Sequence, residues 1–198
     1  VPSTQRWEEK PEGRHLELGI AENNLFLALA ALGLTEPLFG RRLLPVGTLY
    51  DPFVARGLDA LIYALYQGAK FMVVGTPSGV TLAPEGGAHQ STITASVGAE
   101  LPNLTYYEPA YATEVDWLLC DALDQLSQPG GTSGYLRLST RPIDQQPFAA
   151  VLDVMGEQRL REQVLAGGYR LVDGTPDHYD VRPGVTIVTT GVMAPEAI

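Results

Sequence analysis

The chain has 198 residues, with 13 basic and 23 acidic side chains, a formal charge of −10, 45% hydrophobic residues and 18% charged. This is enough apolar matter for one packed core, and it excludes a disordered acidic tail. The acidic balance argues against a non-specific nucleic-acid binder, and the single Cys120 excludes an internal disulfide framework and a cysteine-rich zinc site.

The first 14 residues are polar, with two prolines, and read as an arm. VPSTQRWEEK has no basic region followed by an apolar stretch, so no signal peptide is expected. The sequence predicts a helix from Ala21 to Leu34, apolar nearly all round and therefore buried. Its core, LFLALAALGL from Leu25 to Leu34, is about half the ~20 residues a membrane span needs. A cytoplasmic protein that does not enter a membrane is expected. Arg42 to Leu49 suits a short strand that Pro45 keeps from being central. Pro52 opens a second helix to about Gln67, and Phe71 to Val74 reads as a buried parallel strand.

Thr76 to His89 is a glycine- and proline-punctuated loop of a length that is usually functional. Leu104 to Tyr107 is a candidate strand, and Pro109 opens the clearest helix. Val115, Leu118, Leu119, Ala122, Leu123 and Leu126 form its amphipathic stripe. PGGTSG, Pro129 to Gly134, is a turn before a strand at Tyr135 to Leu138. Strands alternating with helices define an α/β fold with a mostly parallel sheet flanked by helices. Residues 141–167 read as a linker carrying one polar helix near Gly156–Leu165. Strands at Tyr169–Val172 and Val185–Thr190, then a helix start at Ala194–Glu196, suggest that a second α/β domain begins near 168 and is truncated at 198.

Three groups could carry chemistry. Glu22 is either a carboxylate favoured by a helix dipole or a desolvated one able to share a proton with a heteroaromatic nitrogen. His89, in PEGGAHQS, is either a solvated loop histidine or one that approaches a ligand, with Glu85 nearby. Tyr50, Phe53 and Arg56 share one face of a helix start, either as core packing with a surface cation or as a plate for a planar ligand. Tyr106, Tyr107, Tyr111 and Trp117 read as core or interface packing, and His15 and His178 as surface or linker residues. No metal-ligand spacing, phosphate loop, dinucleotide fingerprint or nucleophile elbow occurs. Composition and spacing alone identify no reaction.

GRHLELGIAENN (Gly13–Asn24), YDPFVARGLDAL (Tyr50–Leu61) and PEGGAHQS (Pro84–Ser91), in this order, resemble the pyrimidine-binding domain of the transketolase-like thiamine-diphosphate enzymes. GTPSGVTL (Gly75–Leu82) and EPAYATEV (Glu108–Val115) resemble most closely the homodimeric pyruvate dehydrogenase decarboxylating component and related 2-oxo acid dehydrogenases. The resemblance covers about residues 13–140, and implies a pyrimidine-binding domain over 15–140 followed by the start of the transketolase-like C-terminal domain at 168–198. It implies that Glu22 pairs with the cofactor's aminopyrimidine, that Phe53 stacks on that ring with Tyr50 and Arg56 beside it, and that His89 contacts substrate or relays protons. Glu85 would belong to the same pocket. The implied reaction is oxidative decarboxylation of a small 2-oxo acid. The alternatives are two-carbon transfer of the transketolase or deoxyxylulose-phosphate synthase type and a non-catalytic homologue. A sugar-phosphate substrate needs a basic pocket, and only Arg41, Arg42 and Arg56 lie near these motifs. The chain has no Gly-Asp-Gly, the family's diphosphate and magnesium signature. The resemblance therefore implies a homodimer, a separate diphosphate-binding domain holding magnesium, and an isolated chain that is inactive and cofactor-free, and it leaves open an acyltransferase core as a further partner.

Overall fold

The structure is a computed structural model, and it describes residue 10, residues 13–172 and residues 185–198. Four short strands, β1 (Val46–Leu49), β2 (Met72–Gly75), β3 (Leu104–Tyr107) and β4 (Ser133–Arg137), form one all-parallel sheet in the order β1-β2-β4-β3. β1 is an edge strand, the position Pro45 permits. The Pro45 carbonyl still accepts a bond from the Met72 amide at 2.9 Å.

The chain moves from β1 to β2 and on to β3, then reverses to place β4 between them. Right-handed crossovers must therefore change faces at the reversal. Accordingly, α1 (Glu22–Gly33), α3 (Leu58–Tyr66) and α4 (Thr94–Glu100) cover one face. There Phe26, Leu29, Leu61 and Leu65 bury Phe71, Val73 and Tyr135. The opposite face carries α5 (Ala112–Ser127), α6 (Gln146–Met155) and α7 (Glu157–Leu165), whose Trp117, Leu118, Phe148 and Leu160 pack with Met72 and Leu136. Alternation along β2 and β4 sends successive side chains to the two layers, as the pleat requires.

The α5 stripe faces the core as its period predicts, with Leu118, Ala122 and Leu126 buried. The helix starts at Ala112, not Pro109, because the buried Glu114 carboxylate accepts the Ala110 and Tyr111 amides, each at 2.7 Å. Tyr107, Tyr111 and Trp117 are core residues.

Several expectations need correction. Only Phe26, Leu29 and Gly33 of α1 are buried, and Leu27 is 54% exposed, so the helix is not enclosed on all sides. The helix from Pro52 divides at Gly57 into a 3-10 helix over Asp51–Gly57 and then α3. Residues 141–167 hold two helices, and Phe148, Leu160 and Val164 join the α5 core instead of standing apart as a linker. The short helices α2 (Thr35–Phe39) and α4 had no sequence signal strong enough to mark them. Residues 169–172 and 185–190 are irregular, not strands, and 191–197 form a 3-10 helix on which Ala194 is buried. His178 lies outside the described residues.

Gly57 is where α1 crosses the 3-10 helix. A Cβ there would come within 2.3 Å of the Phe26 ring and 3.0 Å of the Glu22 carbonyl. Phe26 is fully buried and has nowhere to move. Gly57→Ala is expected to lower the free energy of unfolding by about 1–3 kcal/mol, the usual cost of overpacking. Urea denaturation checks this, and an unchanged midpoint would contradict the close crossing.

Candidate active site

At the C-terminal edge of the sheet, where open α/β sheets bind ligands, Asp51 follows β1 and is 0% exposed. A buried carboxylate is costly unless its lone pairs are filled. Here Ser91 Oγ, Thr94 Oγ1 (2.9 Å), Tyr135 OH and Arg137 Nε (3.1 Å) all donate to it. These donors come from the loop after β2, from α4 and from β4, so one carboxylate ties three parts of the chain together. Gly75 makes room for it: a Cβ there would lie 2.6 Å from Asp51 Oδ1.

Arg137, the last residue of β4 and 5% exposed, is the second centre. Beyond Asp51, its Nη1 donates to Glu108 at 2.5 Å and its Nη2 to the Ser91 carbonyl at 2.6 Å and Ser91 Oγ at 3.1 Å. Desolvation opposes the guanidinium charge, but Glu108 and Asp51 more than offset it and hold its pKa above the ordinary value. Burial, followed by the Asp51 charge and hydrogen bond, pushes the Tyr135 phenol well up.

On this floor lies an open shelf. Tyr50 OH donates to Glu85 Oε2 at 2.9 Å and sits 3.2 Å from His89 Nδ1. One phenol proton cannot serve both, so with Glu85 as its acceptor the His89 Nδ1–H donates to the phenol oxygen. Nε2 then keeps the imidazole lone pair. Desolvation, then the bond to Glu85, raises the Tyr50 pKa. The Phe53 ring meets Tyr50 edge-on at 5.1 Å and lies 6.4 Å from the His89 ring. The Arg56 guanidinium stacks 3.7 Å from the Phe53 centroid. Tyr50, Phe53, Arg56, Glu85 and His89, drawn from two separate motifs, thus come together. Glu85 and His89 side chains are 54% and 40% exposed, so the shelf is open.

Glu22 is placed differently. It is half-buried in the first turn of α1 and, among the described residues, makes no side-chain hydrogen bond or ion pair. The fully dry niche expected for it is not built by the described residues. What links it to the shelf is the crossing at Gly57, which lays the first turn of α1 on the 3-10 helix that carries Phe53. Arg42 is held by Glu36 through two bonds of 2.6 and 2.7 Å and donates to the Ser127 carbonyl. His15 is an exposed residue 3.8 Å from Glu17.

The sequence reading missed Asp51, Ser91, Thr94, Glu108, Tyr135 and Arg137. Asp51 stands between Tyr50 and Phe53, and an acidic residue inside an otherwise apolar turn was the available signal.

The chain belongs to the pyruvate dehydrogenase E1 component middle-domain family, whose model matches residues 4–136. The enzymes of this family depend on thiamine diphosphate. The chain is 26% identical over 198 residues to a 6-deoxy-6-sulfo-D-fructose transketolase subunit, SqwH, of a Clostridium species, covering 99% of this chain and 52% of that protein. It is 26% identical over 155 residues to a pyruvate dehydrogenase E1 component of Corynebacterium glutamicum, covering 76% of this chain and 17% of that one. The chain thus spans about half the length of the first relative and far less of the second. A crystal structure of a Pichia stipitis transketolase mutant in complex with fructose 6-phosphate superposes with a TM-score of 0.52 at 22% identity, over 65% of this chain and 17% of that one. The superposition agrees with the α/β fold.

Asp51→Ala removes one partner of a buried ion pair and is expected to cost about 3 kcal/mol or more of stability. Calorimetry at wild-type melting temperature would contradict this. The phenols of the buried Tyr107 and Tyr135 and the half-buried Tyr106 and Tyr169 are all pushed up, chiefly by desolvation. They stay protonated in the fold where the unfolded chain ionises. Their contribution is complete below about pH 10 and is lost as pH rises beyond it. Urea titrations across that range should show stability falling only on the alkaline side; a rise there would contradict the assignment.

Proposed function

We propose that this chain supplies the aminopyrimidine half of a thiamine-diphosphate site in a 2-oxo acid dehydrogenase component resembling pyruvate dehydrogenase. The observation that carries this reading is the convergence of the Phe53–Tyr50 plate and the His89 loop on one sheet edge, in a chain of this family. The residues fit the cofactor's ring. Phe53 is half-buried beside an open shelf, and α1 lays the Glu22 turn on the same 3-10 helix.

When bound, thiamine diphosphate supplies a carbon nucleophile and an electron sink for the carbon–carbon bond that breaks. The chain's own residues do the rest. Phe53 gives the ring a flat apolar partner and Arg56 braces the plate. Glu22 is the carboxylate that holds a proton at the pyrimidine nitrogen. His89 presents Nε2 to the substrate, with its Nδ1–H fixed by Tyr50 and Glu85. Such a histidine can bind a carboxylate when protonated or take a proton when neutral.

The remaining half of the site, with the diphosphate and magnesium, belongs to a separate domain, and function belongs to a homodimer in the cytoplasm, with an acyltransferase core as a further partner. In this reading residues 15–140 are the pyrimidine-binding unit, with the helices of 141–167 packed on its α5 core, and 168–198, which reach that core through Ala194, begin a further domain. Leu27, Leu38, Phe39, Ile62, Tyr63 and Tyr66 are exposed apolar or aromatic side chains of the kind such an assembly covers. A second reading, two-carbon transfer between sugars, is favoured by the alignment with the SqwH subunit over the whole chain. Arg42 is engaged by Glu36 and Ser127 and so is a poor partner for a sugar phosphate, which supports the oxo acid.

The test uses this chain assembled with its diphosphate-binding domain, thiamine diphosphate, magnesium and an artificial electron acceptor. Carbon dioxide release from pyruvate or 2-oxobutyrate is expected. Turnover of sugar phosphates alone supports the second reading, and bound cofactor with no turnover of any donor overturns both. Glu22→Gln should lower turnover roughly 10²–10⁴-fold, the range of general acid–base catalysis, with the fold unchanged; an unchanged rate removes Glu22 from the mechanism.

A further inference from the structure

The two halves of the shelf reach it by different routes. Tyr50 and Phe53 follow β1, whereas Glu85 and His89 come from the connection after β2. Strand pairing of β1 with β2 ends at Leu49 and Gly75, so the sheet does not fix one loop against the other. Two links do. The outer one is the partly exposed Tyr50–Glu85–His89 cluster itself. The inner one is buried. Asp51 is the neighbour of Tyr50 and Ser91 lies two residues after His89; Ser91 Oγ donates directly to Asp51 Oδ2, and Thr94 Oγ1, just beyond the loop, donates to the same oxygen at 2.9 Å.

Arg137 closes this inner link from below. Its three nitrogens divide the work: Nε on Asp51, Nη2 on the carbonyl and hydroxyl of Ser91, Nη1 on Glu108. Glu108 is itself fixed, since its carbonyl accepts the Gly191 amide at 3.0 Å and its Oε2 accepts Thr190 Oγ1 at 3.2 Å. Ser91 Oγ also accepts the Gly79 amide at 3.2 Å, so the same hydroxyl anchors both ends of the 79–91 loop. A planar fork at a rigid strand end holds two loops at one spacing; a flexible ammonium cannot.

We propose that Arg137 and Ser91 are positioning residues that set the spacing of His89 against the Tyr50–Phe53 plate. They touch no reacting atom. Resting on the function proposed above, they fix where the imidazole stands relative to a ring stacked on Phe53. The contribution is geometric, and catalysis is sensitive to displacements of about 1 Å.

The test reads the His89 imidazole in the chain without cofactor, so it does not depend on thiamine diphosphate binding. Nitrogen-15 NMR reads the ratio of the Nδ1–H and Nε2–H forms of the neutral His89 ring, with His89→Gln giving the assignment. Tyr50→Phe removes the outer hydrogen bond and is expected to change that ratio about threefold or more, as for one ordinary hydrogen bond. In Arg137→Lys, which keeps the charge but not the fork, and in Ser91→Ala, which leaves no charge unpaired, adding Tyr50→Phe is expected to change it no further. If Arg137→Lys fails to fold, Ser91→Ala decides alone. A Tyr50 effect that persists undiminished in the folded variants overturns the proposal, as does its absence from the wild-type chain. Loss of the coupling together with failure of the assembled enzyme to bind thiamine diphosphate would leave the positioning role standing and remove the functional reading.

Discussion

The carboxylate of Asp51 is the constraint on which the sheet edge depends. It is removed from water, and four donors from the loop after β2, α4 and β4 surround it. A buried charge tolerates little rearrangement, because any partner that leaves exposes an unpaired group in a medium of low dielectric. Arg137 extends the same demand to Ser91 and Glu108. Residues from five separate stretches of sequence are thereby held to one arrangement, at the edge where the crossover loops emerge. Gly75 serves this purpose, since any side chain there would occupy the space of the Asp51 carboxylate.

Above this polar floor the shelf is soft and open. Its side chains are half-exposed, and its hydrogen bonds join groups that water also reaches. Such a surface suits half of a binding site: it offers a flat ring, a cation, a carboxylate and an imidazole without enclosing a ligand. Glu22 belongs to this picture through backbone crossing and not through a side-chain contact. A second body covering the shelf would complete its desolvation, and the exposed apolar residues of α1, α2 and α3 show that the chain has surface to give to such contacts.

Much of this was legible in the sequence, for reasons that are local. The period of α5 and the apolar run of β2 report directly on burial. The motifs around Tyr50 and His89 carried the resemblance that brought the shelf residues together. The rest depends on neighbours distant in sequence. α4 is seven residues long and is held in place by Thr94 bonding Asp51. α6 looked like linker because its single buried aromatic, Phe148, acquires meaning only against Tyr111 and Trp117. The Asp51–Arg137 pair joins residues 86 positions apart, and no periodicity reports such a pairing. The expected enclosure of α1 failed because apolar composition cannot distinguish a face buried in its own chain from one left for another.

The central claim is that Glu22 and Phe53 receive the same planar heterocycle. The most direct measurement is a crystal structure of the assembled enzyme with thiamine diphosphate. The account requires the aminopyrimidine ring to lie on Phe53 with a ring nitrogen in hydrogen-bond contact with the Glu22 carboxylate and His89 facing the reactive carbon. A cofactor ring bound elsewhere, with no contact to Glu22, would contradict it.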